Sequence, residues 1–416
     1  MKTVEGWSSF AIEQCCDILD SMRVPVNAED RDKRIGEIPY YGANGLQGYI
    51  DDFIFDEPLI LVAEDGGCFD EFATRPIAYR VKGKSWVNNH AHVLRAKEAF
   101  CQDAIFYNLE HKDIQSFIVG GTRSKLNQVA LRAITFTLPT SKTEQAKIAE
   151  ILSTVDWAIE QTEALIAKQQ RIKTGLMQDL LTGGIDEHGN LRSEQTHQFK
   201  DSPLGRIPVE WEVTPATELC DAILDCKNRT PPITNDGHPV IRTPNVRNGE
   251  FVYNDLAFTD QFSYEIWVVR GKPRYGDVVI TREAPFGESC LIPKDLYAPC
   301  LGQRMMMYQP NSTKLRSDYL VFAIYSETVQ TKLLKLAGGS TVGHIRVGDI
   351  RKLPIPHPTS INEQRAIAET LTGATTSIKK LESQGQKLHF LKTALMQDLL
   401  TGKKRVTTLV SKTEVT

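Results

Sequence analysis

The stretch Pro139-Thr-Ser-Lys-Thr-Glu-Gln-Ala-Lys-Ile-Ala-Glu150 returns later in the chain as Pro358-Thr-Ser-Ile-Asn-Glu-Gln-Arg-Ala-Ile-Ala-Glu369. The offset is 219, counted from Glu144 to Glu363, and Lys173-Thr-Gly-Leu-Met-Gln-Asp-Leu-Leu-Thr-Gly183 keeps it, returning at Lys392–Gly402. The sequence between the two matches drifts while its length does not, so length itself is under constraint. Ile148, Leu152, Val155, Ile159, Thr162, Ile166 and Gln169 advance by alternating steps of four and three, as do Ile367, Leu371, Ala374, Ile378, Leu381, Gly385 and Leu388. A period of 3.5 is the seam of a coiled coil. Each copy therefore reads as a helix of roughly 38 residues, about 57 Å long, stopped by Thr-Gly. Gly385 is the one glycine on the seam, where a kink or closer packing is expected because Gly is a weak helix former.

Working outward, a fainter repeat opens each half. Trp7 and Trp211 each stand nine residues before a Cys-Asp pair followed by Ile-Leu-Asp. Between these openings and the shared helices lie two segments with little mutual likeness. Both are α+β by pattern, with strand-like runs at 58–63, 75–81, 277–281 and 304–308 and short helices near 98–119 and 317–336. The layout is 1–138 variable, 139–183 helix, 184–206 polar linker, 207–355 variable, 356–402 helix and 403–416 tail.

Composition sets limits on function. The chain has 416 residues and a net charge of −3, which disfavours a strong stand-alone nucleic-acid binder. Nothing in it reads as a membrane span or secretory signal, so a cytoplasmic location is expected. The eight cysteines form no Cys-x-x-Cys pair and are expected as reduced, packed thiols. Catalytic motifs are missing: Arg229-Thr-Pro-Pro-Ile233 lacks the residues of a methyltransferase loop, and Lys82-Gly-Lys-Ser85 lacks the first glycine of a phosphate loop. His90-Ala-His92 has no acidic ligand nearby in sequence, so no metal site is expected.

Basic, amide and aromatic residues interleave in both variable segments. Asn pairs with adenine, and Arg or Lys with guanine, in the major groove. On that chemistry the candidate DNA-binding residues of the first half are Tyr41, Asn44, Lys82, Lys84, Asn88, Asn89 and His90, with Arg123 and Lys125 on a Gly-Gly loop. Those of the second are Lys227, Arg229, Arg242, Asn245, Arg247, Arg282 and Arg304, with His344 and Arg346 on the matching loop. The loops suit phosphate contacts, which position without specifying sequence.

The duplicated Pro-x-x-x-x-Glu-Gln-x-x-Ile-Ala opening and Leu-Met-Gln-Asp-Leu-Leu-Thr-Gly close resemble type I restriction–modification specificity subunits. So do Ser202-Pro-Leu-Gly-Arg-Ile-Pro-Val-Glu-Trp211, Gly276-Asp-Val-Val-Ile-Thr-Arg-Glu-Ala-Pro-Phe-Gly287, Tyr40-Tyr-Gly-Ala-Asn-Gly45 and Trp86-Val-Asn-Asn-His-Ala-His-Val93. The resemblance implies two target recognition domains, each reading half of a bipartite asymmetric DNA site. Between them run two long antiparallel coiled-coil helices that set the gap and dock two methyltransferase subunits. It implies no catalysis and no cofactor in this chain, with S-adenosylmethionine, ATP and magnesium on methyltransferase and restriction partners. The competing expectation is a coiled-coil scaffold whose two domains bind proteins rather than DNA.

Overall fold

A computed structural model describes residues 4–120, 124–338 and 343–409. The two repeats fold as helices of 41 and 39 residues, Lys142–Thr182 and Ile361–Leu399. Burial follows the 3.5 period: Ile148, Leu152, Val155, Ile159, Thr162, Ile367, Leu371, Ile378 and Gly385 are buried, and Ala374 is half-buried. The expected strands form, and each helical stretch is shorter or broken: the first is Gln102–Glu110 followed by a 3-10 turn at Gln115–Phe117, and the second divides into Ser317–Ile324 and Glu327–Leu336.

The chain divides into two compact units. One contains residues 1–163 and 383–416, the other residues 164–382, so each holds one variable module and half of each long helix. In the first unit Ile148 and Leu152, near the start of one helix, share a core with Leu395 and Leu399 at the end of the other. In the second, Ile367 and Leu371 share a core with Leu180 and Leu181. Within each unit the helices therefore meet start to end, which is antiparallel. The seam assignment needs one correction. Ile148, Leu152, Ile367 and Leu371 also pack into the module cores, against Leu138 and Phe136 in one unit and Ile355 and Tyr319 in the other.

The repeated Glu-Gln pair explains itself in the fold. Gln145 donates from its amide to the Pro139 carbonyl (2.8 Å) and accepts the Cys101 N–H (2.8 Å). Gln364 does the same with Pro358 (2.9 Å) and Arg316 (2.8 Å). Each glutamine thus staples a long helix to the short helix of its module. The preceding glutamate takes an arginine from beyond a Thr-Gly stop. Glu144 binds Arg405 (2.7 and 2.8 Å), and Glu363 binds Arg192 (2.5 and 3.0 Å) and the Trp211 indole N–H (3.0 Å). The polar segment 184–206 carries this buried Arg192 and half of a hairpin, Phe199–Ser202 with Gly205–Pro208, so it is an ordered connection.

The two modules share one sheet order. Strands Cys16–Ile18, Ala91–Ala96, Leu59–Ala63 and Ala78–Val81 lie side by side in the first, and Cys220–Asp225, Met305–Pro310, Val278–Thr281 and Ser289–Leu291 in the second. Of the inner strands, Leu59–Ala63 is apolar on both faces and wholly buried, and Val278–Thr281 is wholly buried and apolar up to Thr281. The buried thiols are inert: burial pushes Cys16, Cys220, Cys290 and Cys300 up to about 12.

Candidate nucleic-acid interface

Strand register fixes which residues of the two modules are equivalent. Ile60 pairs with Leu94, which also pairs with Ile18; Val278 pairs with Tyr308, which also pairs with Ile223. Counting forward, Glu64 and Asp65 fall where Arg282 and Glu283 lie, and His90 falls where Arg304 lies. The Gly-Gly loops close onto the same place: the Leu126 N–H donates to the Glu64 carbonyl (2.7 Å), and the Ile345 N–H to the Arg282 carbonyl (3.1 Å). Lys125 and His344 are therefore also equivalent.

At this end of the sheet both modules carry a cross-strand contact between a nitrogen base and a carboxylate, built from different residues. In the first, His90 Nδ1 is 2.8 Å from Asp65, and Lys125 Nζ is 3.0 Å from Glu64. In the second, Arg304 Nε is 2.9 Å from Glu283, and His344 Nδ1 meets the other oxygen of that carboxylate. Arg304 (φ 73°) and Ala284 (φ 52°) both hold the left-handed backbone that side chains disfavour. Such strain concentrates at functional sites.

Behind the first ion pair lies a cluster that sequence separation hides. His92 Nδ1 is 2.6 Å from Asp20 and 3.7 Å from Glu64, so acidic neighbours do reach this histidine. The sequence around His92 shows neither acid because Asp20 and Glu64 arrive from distant segments. Their charge is met internally. Arg23 lies 2.6 Å from Glu64 and 3.8 Å from Asp20, while Nε2 of His92 bonds the Leu126 carbonyl (2.8 Å). Burial raises the Asp20 and Glu64 carboxyls, but His92, Arg23 and Lys125 outweigh it, leaving both below their ordinary values. The cluster ties the Gly-Gly loop, through Leu126 and Lys125, to the sheet.

The remaining candidates sort by burial. Lys82, Lys84, Asn89, Arg229 and Arg346 are exposed, as are Asn44, Arg304 and His344. Lys84 rests over the Phe53 ring (4.7 Å), Asn44 donates to the Gly66 carbonyl (2.9 Å), and Tyr41 leans on Tyr79. Lys227 and Arg229 both stack on Trp267, at 5.1 and 5.3 Å, a separate basic patch. Arg247 turns back onto the Thr243 and Val246 carbonyls, and Arg242 onto that of Asp255. Arg123 lies outside the described residues.

Three expectations are corrected. Asn245 is fully buried, accepting the Arg242 N–H (3.0 Å) and donating to the Val252 (3.0 Å) and Asn254 (3.3 Å) carbonyls. Asn88 is buried, donating to Gln47 and accepting the His90 N–H. Both are buried and tie loops together through their side-chain amides. Arg282 is 6% exposed, beneath His344 (3.4 Å) and the Ile345 carbonyl (3.4 Å), and supports the site from below. Asp20, Arg23, Glu64, Asp65 and Glu283 were not anticipated. Only the alternation of acid and base in Arg282-Glu283 hinted at any of them.

Among the described residues no helix is long and apolar enough to cross a membrane. The family profile of the type I restriction modification DNA specificity domain matches residues 4–169 and again 208–388. The MjaVIII specificity subunit of Methanocaldococcus jannaschii is 28% identical over 318 residues, 73% of this chain and 71% of that protein. A putative Haemophilus influenzae specificity subunit is 24% identical over 381 residues, 88% of each chain. The crystal structure of a type I S subunit from M. genitalium superposes with a TM-score of 0.65 at 14% identity, over 96% of this chain and 98% of that one. With the profile matching twice, once in each half, the chain belongs to the family of type I restriction–modification DNA specificity subunits, which are non-catalytic.

Proposed function

We propose that this chain reads a bipartite, asymmetric double-stranded DNA target, one half with each module. The observation that carries this is the strand-end site built twice at equivalent positions from unlike residues: His90, Asp65 and Lys125 against Arg304, Glu283 and His344. One frame with two different polar surfaces suits two different half-sites. The recognition modules span 1–138 and 207–355, joined to the helices of 139–183 and 356–402 by the connection 184–206 and followed by the tail 403–416. The exposed Lys82, Lys84, Asn89, Arg304 and Arg346 contact DNA, with Tyr41, Asn44, Lys227 and Arg229 on adjoining loops.

The paired helices set the unread gap, which accounts for the fixed repeat length. They also dock two methyltransferase subunits carrying S-adenosylmethionine, and ATP- and magnesium-dependent restriction subunits join in the cytoplasm. The net charge of −3 supports shared DNA binding, because phosphate contacts must be supplied by the partners. Methylome sequencing of cells carrying the wild-type chain or Arg304→Ala is the test. The reading expects methylation at a split motif, with Arg304→Ala relaxing one half only. Relaxation of both halves, or a motif that survives deletion of the chain, refutes it.

A further inference from the structure

The two units differ where the module meets the long helices. In the first, this junction is closed by ions. Arg80 lies across the Phe106 and Tyr107 rings (4.5 and 5.0 Å) and reaches Asp103 (3.0 Å) and Asp156 (3.2 Å). The Tyr107 hydroxyl donates to Asp156 (2.6 Å), and Lys392 bridges Asp156 (2.8 Å) and Glu110 (2.9 Å).

The 219-residue offset places Thr375 at the Asp156 position and Lys173 at the Lys392 position. Strand register puts Leu291 where Arg80 stands, since Arg80 pairs with Ile60 as Leu291 pairs with Val278. The Cys101 and Arg316 N–H groups, each bound by the helix glutamine, align the short helices so that Phe322 replaces Tyr107 and Tyr325 replaces Glu110. Both carboxylates that hold Lys392 in the first unit are thus gone from the second. What remains there is a cavity of about 410 Å³, lined by Lys173, Thr375, Phe322 and Leu291. Of the other charges around it, Glu250 is taken by Lys379 (2.6 Å) and Asp318 by Arg316 (2.6 Å). Lys173 is half-buried and, among the described residues, has no ion pair.

We propose that this cavity docks a partner protein through a Glu or Asp side chain flanked by apolar residues, the carboxylate pairing with Lys173. The first unit shows the chemistry the position takes: an ammonium held by two carboxylates and set over the Tyr107 ring (5.8 Å). The occupant of the second supplies from outside what Asp156 and Glu110 supply from within. A protein segment fits the mouth, where Tyr253 (47% exposed) and Tyr275 (70% exposed) stand open to solvent. Exposed tyrosines of this kind anchor protein interfaces. Because the equivalent junction is plugged, the site occurs once among the described residues. It goes beyond the DNA reading and does not depend on it.

The test uses the full chain with its lysines carbon-13 dimethylated, which keeps their charge, and NMR assignment of Lys173 and Lys392 by substitution to Arg. The probe is a pool of acetylated tripeptides with central Glu and Leu, Ile, Phe or Tyr on either side. The Lys173 signal should shift on titration to about 1 mM while that of Lys392 stays, with affinity about tenfold weaker for the matching Gln pool. Thr375→Asp, which restores the internal carboxylate, should abolish the shift and raise Tm. No Lys173 shift, an equal shift with the Gln pool, or a shift retained in Thr375→Asp overturns the proposal. So does benzoate acting as strongly as the peptides, since the site would then take small anions.

Discussion

Glu363→Gln should cost the protein far more stability than Glu144→Gln, although the two glutamates are repeats of one another. Glu363 accepts from both terminal nitrogens of Arg192, from the Trp211 indole and from the Ile185 N–H (3.2 Å). The side chains of the ion pair are 6% and 9% exposed, so Arg192 has no water to turn to when the charge is removed. Breaking a buried pair by neutralising one partner costs ~3–5 kcal/mol. Glu144 is as buried, at 3%, but its Arg405 is 31% exposed and rehydrates by a small rotation. Solvent screening discounts that pair, and a loss of about 1–2 kcal/mol is expected. Urea denaturation followed by tryptophan fluorescence reads both, with Trp211 bound directly to Glu363 as the local reporter. Equal losses for the two variants, or a loss below about 1 kcal/mol for Glu363→Gln, would refute the argument from burial.

Four further outcomes follow from the same reasoning. Asp20 and Glu64 have folded pKa values below their ordinary 3.8 and 4.5, so the stability they contribute is fully present above those ordinary values and is lost as pH falls below them through the depressed folded values. Asp20→Asn should flatten the acid limb of a Tm-versus-pH curve, and an unchanged limb contradicts the network. Arg304→Ala should weaken binding of the assembled complex by about 1–3 kcal/mol at one half-site in competition binding assays. Asn245→Ala should instead lower Tm, because its amide is buried and engaged; a specificity change with an unmoved Tm would reverse that assignment. Leu152→Ala, at a fully buried position, should cost ~2–5 kcal/mol, against under ~0.5 kcal/mol for the half-exposed Leu165→Ala, both by urea denaturation.

The helices were legible because a 3.5-residue period runs from Ile148 to Gln169 and returns at a fixed offset, although the same stripe also serves the module cores. The central strands were legible as short apolar runs between turn residues. The equivalence of the strand-end sites was not, because it is carried by strand register while the side chains change sign: Glu64 lies where Arg282 does. Asn245 and Asn88 looked like base readers, since an amide that binds a loop has the same composition as one that binds adenine. Arg192 sat in a stretch read as a polar linker, and only the fold shows it closing on Glu363. The Glu-Gln pair was visible as a repeat, but its work, one residue stapling a short helix and the other capturing an arginine, depends on partners far away in sequence.

The division of the chain bears on how it is made. The second unit is one continuous stretch, residues 164–382, whereas the first joins 1–163 to 383–416. A ribosome therefore releases every part of the second before the first can be completed. Ile148 and Leu152 must wait for Leu395 and Leu399, on the order of ten seconds or more at about 5–20 residues per second. During that interval the apolar face of the nascent first module stays uncovered, so the half synthesised first is the half that most needs a chaperone.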